Sequence, residues 1–351
     1  VIDKTVLAAK FDGLLKRRVT AAELRAALDQ VNKEYADAGY ALGRAYIPIQ
    51  VVQGGSLIVR IVEGYVGLIE ITAADAKVRH MIEGFSKRIV SEKPLRTATL
   101  ERYLLLIGDI PGVTLGGKLT AMDVYSGAAT LALNAESDKL TFSTAVDNRA
   151  NIEDAPFQAY LTASLNNILG AGDELSVTGL ATPDIQNQQY FRAAFATNIG
   201  TDGLRASLGA SYAKSEAPDL PAGVELLSTS TQIDFLLSYP LIRATKETLT
   251  TFFGAYFTDA ENELNSLTFS KDAIRAAHLG ASYVARLDER TSVGSHLRVT
   301  QGFSVWGAGP GNQLHSRLGA SPTFLKVQSG ASISYAATER LLLSFKLEGQ
   351  Y

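Results

Sequence analysis

Gly112, Gly117 and Lys118 spell G-x-x-x-x-G-K, the spacing with which a backbone loop cradles nucleotide phosphates. Leu119 stands where that loop needs a Ser or Thr hydroxyl for Mg²⁺, and the flanking pattern has neither a buried parallel strand before it nor a helix after it. The string therefore reads as a turn. Metal and nucleophile chemistry have as little to build on. His80, His278, His296 and His315 have no ligand spacing, cysteine is absent, and no G-x-S-x-G elbow presents a serine for acyl transfer. What remains is charge set singly among small polar residues: Arg192, Arg205, Asp234, His278, Arg298 and Lys346. Such charges tune the field of a water-filled space without forming a discrete reactive centre. No residue is assigned to catalysis, to a metal or to a cofactor, and an enzyme is not expected.

The elements that must carry those charges are read from composition and period. The chain has 351 residues, 46% hydrophobic and 20% charged, with 33 Lys+Arg against 36 Asp+Glu and a net charge of −3. A near-neutral balance of this kind argues against neutralising nucleic acid phosphates as the main task. No run approaches the eighteen apolar residues of a membrane-spanning helix. A closed β-barrel crosses lipid with short alternating strands whose mean hydropathy is near zero, and the value here is +0.06.

Up to about residue 135 the pattern mixes helices with short strands. Thr20 followed by Glu23 is a capping box, Leu24, Leu28, Val31 and Tyr35 share a helical face, and Gly39 is the stop. Strand-like runs at 45–52 and 57–62 follow, with Pro48 marking an edge or bulge. Helix, helix, strand, strand is thus the order of the first copy of a small α+β module. The second copy has a strand at 67–72, helices near 75–89 and 97–107, and strands near 113–124 and 128–135. An opening strand for the first copy is expected in chain ahead of Val1.

From Leu140 to Tyr351 about eleven segments alternate with period two, each near the nine to eleven residues that a tilted strand needs to cross a bilayer. Leu204, Ala206, Leu208, Ala210 and Tyr212 oppose Arg205, Ser207, Gly209 and Ser211, for example. Tyr212, Tyr239, Tyr283, Tyr335 and Tyr351 fall at the ends of apolar faces, where aromatic girdles lie. A soluble β-sandwich also alternates, but the segment length and tyrosine placement favour the barrel. Single-chain barrels close with an even strand count, so further C-terminal strands are expected beyond Tyr351.

Residues 19–71 carry Gly39-Tyr40, then Ile47, Pro48 and Gln50, then Val62, Glu63 and Gly64. This GY…IPxQ…VxEG series resembles the polypeptide-transport-associated (POTRA) domain of two-partner secretion transporters, the ShlB/FhaC-like haemolysin activation/secretion proteins (TpsB) of the Omp85 superfamily. LERYLLLIGDIPGV at 100–113 is similar to a second POTRA domain. DNRA at 147–150, NILGAGDEL at 167–175 and SYPLIR at 238–243 are similar to early barrel strands. Two departures stand out: Ala150 replaces the glycine of the family's DNRG, and the family's VRGY/F loop motif is absent.

The resemblance implies α+β POTRA modules at 1–66 and 67–137, then an antiparallel transmembrane β-barrel from 138 to 351 with about eleven of the family's sixteen strands. It implies an outer-membrane pore, monomeric and without ATP or cofactor, with its POTRA domains in the periplasm. Such a pore recognises one unfolded exoprotein, a TpsA-like haemolysin or adhesin, and exports it. Client recognition would involve Gly39, Tyr40, Pro48, Gln50, Glu63 and Gly64. Asp147, Asn148 and Arg149 would stand at the barrel entrance, and the six charged residues named above would face the lumen. The alternatives are an Omp85-type assembly insertase and a soluble β-rich adhesin or binding protein.

Overall fold

The computed structural model describes every residue except 53, 122–124, 151–156, 186, 218–219, 222, 310–314 and 318. The chain divides into two compact units, residues 1–109 with 113–137, and residues 110–112 with 138–351.

The first unit opens with α1 (Lys4–Ala9), a 3₁₀ turn and α2 (Ala21–Asp37). The capping box is formed in full: Thr20 Oγ1 accepts from the Glu23 amide, and the Glu23 carboxylate accepts from the Thr20 amide at 2.8 Å. That carboxylate is held at about 2, first by the Thr20 amide and then by Arg17. Gly39 ends the helix with φ 82°, a left-handed conformation open to glycine at little cost. Val31 and Tyr35 of α2 close with Leu7 and Ala45 into a small core, against which Leu28 and Tyr40 pack.

Two strands follow, β1 (Arg44–Tyr46) and β2 (Arg60–Val62), paired antiparallel. Both are shorter than the runs at 45–52 and 57–62 that alternation suggested. The reason is local. Pro48 has no N–H to give a ladder, and beyond it the Gln50 side chain takes the strand's place: its Nε2 donates to the Ile58 carbonyl at 2.8 Å and its Oε1 accepts from the Ile58 amide at 2.9 Å.

The second half of this unit runs β3 (Tyr65–Ala73), α3 (Ala76–Ser91), α4 (Thr97–Gly108), β4 (Val113–Ala121) and β5 (Ala128–Ser137). The sheet order is β3-β5-β4, with β3 and β5 parallel and β4 antiparallel to β5. Val78, Ile82, Phe85 and Ile89 recur on one face of α3 and are buried with Leu131 and Leu133 of β5. The strand expected at 113–124 ends at Ala121, and 122–124 lie outside the described residues. The G-x-x-x-x-G-K string is a strand more than a turn: Gly117 and Lys118 sit inside β4, opposite Leu133 and Ala132.

Among the described residues the second unit is one antiparallel meander of eleven strands. In chain order these are β6 (Leu140–Asp147), β7 (Gln158–Asn166), β8 (Glu174–Ala181), β9 (Gln188–Ile199), β10 (Leu204–Glu216) and β11 (Leu226–Arg243). They continue with β12 (Glu247–Leu264), β13 (Leu267–Arg286), β14 (Thr291–Gly302), β15 (Leu325–Thr338) and β16 (Leu341–Gln350). Each strand pairs with its sequence neighbours, so the ladder partners of an interior strand are local in the chain. β11, β12 and β13 have 18, 18 and 20 residues and exceed the length expected from alternation.

The two ends of the meander differ. At one, the connections 167–173, 200–203, 244–246, 287–290 and 339–340 are short turns. At the other lie 148–157, 182–187, 217–225, 265–266 and 303–324, and the longest of these is there. The chain enters β6 at the short-turn end.

One short turn is built around Asp173, which has no exposed surface. Its carboxylate accepts from the Leu169 amide at 3.0 Å and the Ala171 amide at 3.1 Å. Burial raises its pKa, but the backbone N–H groups together outweigh that and hold it below the ordinary carboxylate value. A depressed folded pKa contributes stability above the unfolded value of about 3.9, and that stability disappears as pH falls through the folded value. Asp173→Ala strands those amides and is expected to cost about 1–3 kcal/mol. Amide hydrogen exchange at Leu169 and Ala171 checks this: both should exchange faster in the variant at neutral pH, and in the parent only under strong acid.

Candidate functional site

The first unit places the GY…IPxQ…VxEG residues around its small core. Gly39 ends α2 and Tyr40 packs on the core. The Gln50 amide also reaches the Pro48 carbonyl at 3.4 Å, completing the clamp on 48–58. Tyr35 Oη donates to Glu63 Oε1 at 3.1 Å, and burial, then the Glu63 carboxylate, push the phenol up to about 12, so it stays a donor. A Cβ on Gly64 would overlap the Leu42 backbone oxygen. These six residues thus shape the β1–β2 ribbon, and the exposed surface beside it is apolar: Ile49 is 99% and Val51 81% exposed. Neither aliphatic cluster nor clamp was singled out in the sequence, although an uncharged run from 47 to 59 was the available signal.

In the second unit the register sorts the side chains. On one face Leu165, Leu175, Phe195, Leu208 and Phe235 are lateral neighbours across β7 to β11. Leu237, Phe253, Leu279, Val299 and Val327 continue the same face across β11 to β15. Many of these are openly exposed, Leu208 by 57% and Leu279 by 62%. Tyr239 and Tyr283 stand on this face at the short-turn end, their hydroxyls donating to Asp202 at 2.9 Å and Glu247 at 2.7 Å. An apolar band bounded by tyrosines tied to carboxylates is what a lipid-facing surface requires.

The other face is polar. Thr162, Thr178, Arg192, Ser211, Gln232 and Thr258 are lateral neighbours, and so are Ser238, Phe252, Gly280, Arg298, Gln328 and Gln350. The register sets Arg192, Arg205, Asp234, His278, Arg298 and Lys346 all on this face. Arg192 and Asp234 meet directly, bidentate at 2.6 and 2.8 Å. The His278 ring lies between Phe252 and Tyr256, centroids 5.9 and 6.1 Å away, and its Nδ1 has no partner among the described residues. Arg298 stacks over the same Phe252 at 5.4 Å.

Arg205 and Lys346 stand apart from that group. Arg205 donates to the Gly172 carbonyl at 2.9 Å and so braces the Asp173 turn, and Lys346 pairs with Glu348 at 2.9 Å. Glu174, Lys326 and Glu348 share the face; Glu174 and Lys326 were missed, though the alternation that found the others contains them. Near the long-loop end the face holds a cleft of about 450 Å³ between Tyr160, Tyr190, Ser230 and Asn262.

Asp147 closes β6 at the long-loop end, accepting from the Arg149 amide at 3.0 Å and Gln158 Nε2 at 2.8 Å. Asp147, Asn148 and Arg149 therefore lie at the end of the meander opposite the one at which the chain enters β6.

A sheet with one continuous apolar face and one continuous polar face, preceded by a GY…IPxQ…VxEG module, has a counterpart among known proteins. Residues 128–351 match the profile of the haemolysin secretion/activation proteins ShlB/FhaC/HecB, and residues 1–64 match the ShlB-type POTRA domain. The chain belongs to the ShlB/FhaC/HecB family. That family is a class of secretion proteins and not of enzymes. The heme/hemopexin transporter protein HuxB of Haemophilus influenzae (strain 86-028NP) is 23% identical over 268 residues, 73% of this chain and 47% of that protein. The chain thus spans about half the length of the curated relatives it matches. CdiB from Escherichia coli superposes with a TM-score of 0.73 at 18% identity, over 100% of this chain and 66% of that one. CdiB from Acinetobacter baumannii gives 0.65 at 15%, over 99% and 64%. The fold is therefore that of the CdiB structures, a POTRA domain followed by an antiparallel sheet with eleven strands among the described residues.

Proposed function

We propose that this ShlB/FhaC/HecB-family chain supplies periplasmic POTRA modules, residues 1–66 and 67–137, and part of the barrel wall, residues 138–351, of an outer-membrane pore. The pore exports one dedicated, largely unfolded exoprotein of the TpsA-like haemolysin or adhesin class. The observation that carries this reading is the two-faced meander: apolar rows suit lipid, and polar rows with isolated charges suit a water-filled lumen through which a polypeptide passes. The longest connections, 303–324 and 148–157, lie at the end opposite the one where the chain enters, which fits an extracellular mouth there and a periplasmic mouth at the entry end. Asp147, Asn148 and Arg149 then stand at the outer mouth.

Clients would be held first by main-chain pairing to the open edges of the POTRA sheets. The six residues from Gly39 to Gly64 shape the β1–β2 edge that receives them, and exposed Ile49 and Val51 meet apolar client side chains. Folding outside, not ATP, would keep the client from returning. The pore needs no cofactor and works as a monomer. An insertase of the same superfamily is the alternative, and the family match favours export.

Two measurements test the reading in the full-length protein. It should partition into outer membranes with heat-modifiable gel migration and form channels in planar bilayers. Deleting its gene should remove one exoprotein from the medium while the outer-membrane protein profile stays intact; loss of many membrane proteins instead would favour the insertase.

A further inference from the structure

On the polar face, Arg192 of β9 and Asp234 of β11 are not on adjacent strands. Their side chains meet across β10, about 9–10 Å of sheet at the usual interstrand spacing. The position crossed is Gly209, and a Cβ there would overlap the Arg192 guanidinium. The same device recurs on three further strands. Gly254 of β12 lies under the His278 ring, Gly280 of β13 under the Phe252 ring, and Gly330 of β15 under the His296 ring, each without room for a Cβ. The Gly209 case has the strongest consequence, because the side chain lying flat there is also half of a bidentate ion pair.

We propose that Gly209 is a positioning residue for transport, a seat that lets Arg192 lie against the wall and neutralise Asp234, and that Gly330 of β15 does the same for His296 and Glu348, which meet across it at 3.3 Å. This rests on the pore reading above. A guanidinium standing upright in a narrow lumen narrows the bore and presents an unpaired charge, which would hold passing segments of opposite sign. Seated over glycine, it does neither. Because the atoms that an added methyl would displace are the free end of a flexible side chain, Gly209→Ala changes where the charge sits more than whether the sheet forms.

The test is a double-mutant cycle in the full-length protein, read in planar bilayers and by export of its exoprotein. Gly209→Ala is expected to lower single-channel conductance, shift the reversal potential in a KCl gradient toward anion preference, and reduce export, with heat-modifiable assembly unchanged. In an Arg192→Ala background the same glycine substitution is expected to change none of these. An equal effect with and without the arginine, or unchanged conductance and reversal potential, overturns the proposal. Gly330→Ala with and without His296→Ala, where the added methyl meets only side-chain atoms, gives an independent cycle should Gly209→Ala fail to assemble. A parent protein that forms no channel overturns the pore reading itself, and a conducting parent with a silent cycle overturns only the seat.

Discussion

Excision of residues 19–135 from the full-length protein is expected to reduce export of its exoprotein to background while the barrel still reaches the outer membrane. The reason lies in what each unit offers an extended chain. Interior strands of the meander each pair with a neighbour on both sides along part of their length, whereas β1, β2, β3 and β4 each keep a whole edge without a strand partner among the described residues. An unfolded client gains main-chain hydrogen bonds at such edges with little demand on its side chains. On the proposed pore reading, removing them takes away the means of concentrating a client at the inner mouth. Secretion assayed in the medium, beside heat-modifiable barrel in the membrane fraction, checks this. Undiminished export would take the POTRA modules out of the mechanism.

Leu208→Arg is expected to destabilise the membrane-inserted protein by about 2–4 kcal/mol, the cost of a cation on the lipid side near the bilayer midplane. Ser207→Arg, one residue away, is expected to cost far less, because it enters the polar face beside Leu236 and Ala196. Both sit in the same strand, at nearly the same depth and between the same two neighbouring strands. Equilibrium unfolding from lipid vesicles reads the difference directly. Equal costs would mean that the apolar rows do not meet lipid and that the period-two reading has assigned the wrong environment.

That reading was legible because strand alternation is a local property. Side chains must point to opposite faces of a pleated strand, so the sequence of β10 already contains its apolar and polar sides, and the eleven segments between Leu140 and Tyr351 were countable. The capping box at Thr20 and the stop at Gly39 were legible for the same reason, since a helix end is satisfied within one turn of chain. Local signals also misled. Alternation extended β1 and β2 too far because it has no term for a side chain, Gln50, that substitutes for backbone pairing. It made the central strands too short because polar residues at their long-loop ends break the apolar period without breaking the ladder.

What the residues determined on their own, then, was the kind of surface each segment can present: which faces are oily, which are wet, where helices start and stop, and which short series resembles a POTRA domain. Only the tertiary structure decided who meets whom. Arg192 and Asp234 are 42 residues apart and become one ion pair because the β9–β10–β11 register brings both beside Gly209. A glycine's role as a seat is invisible in its own neighbourhood, since it depends on the length and direction of a side chain arriving from another strand.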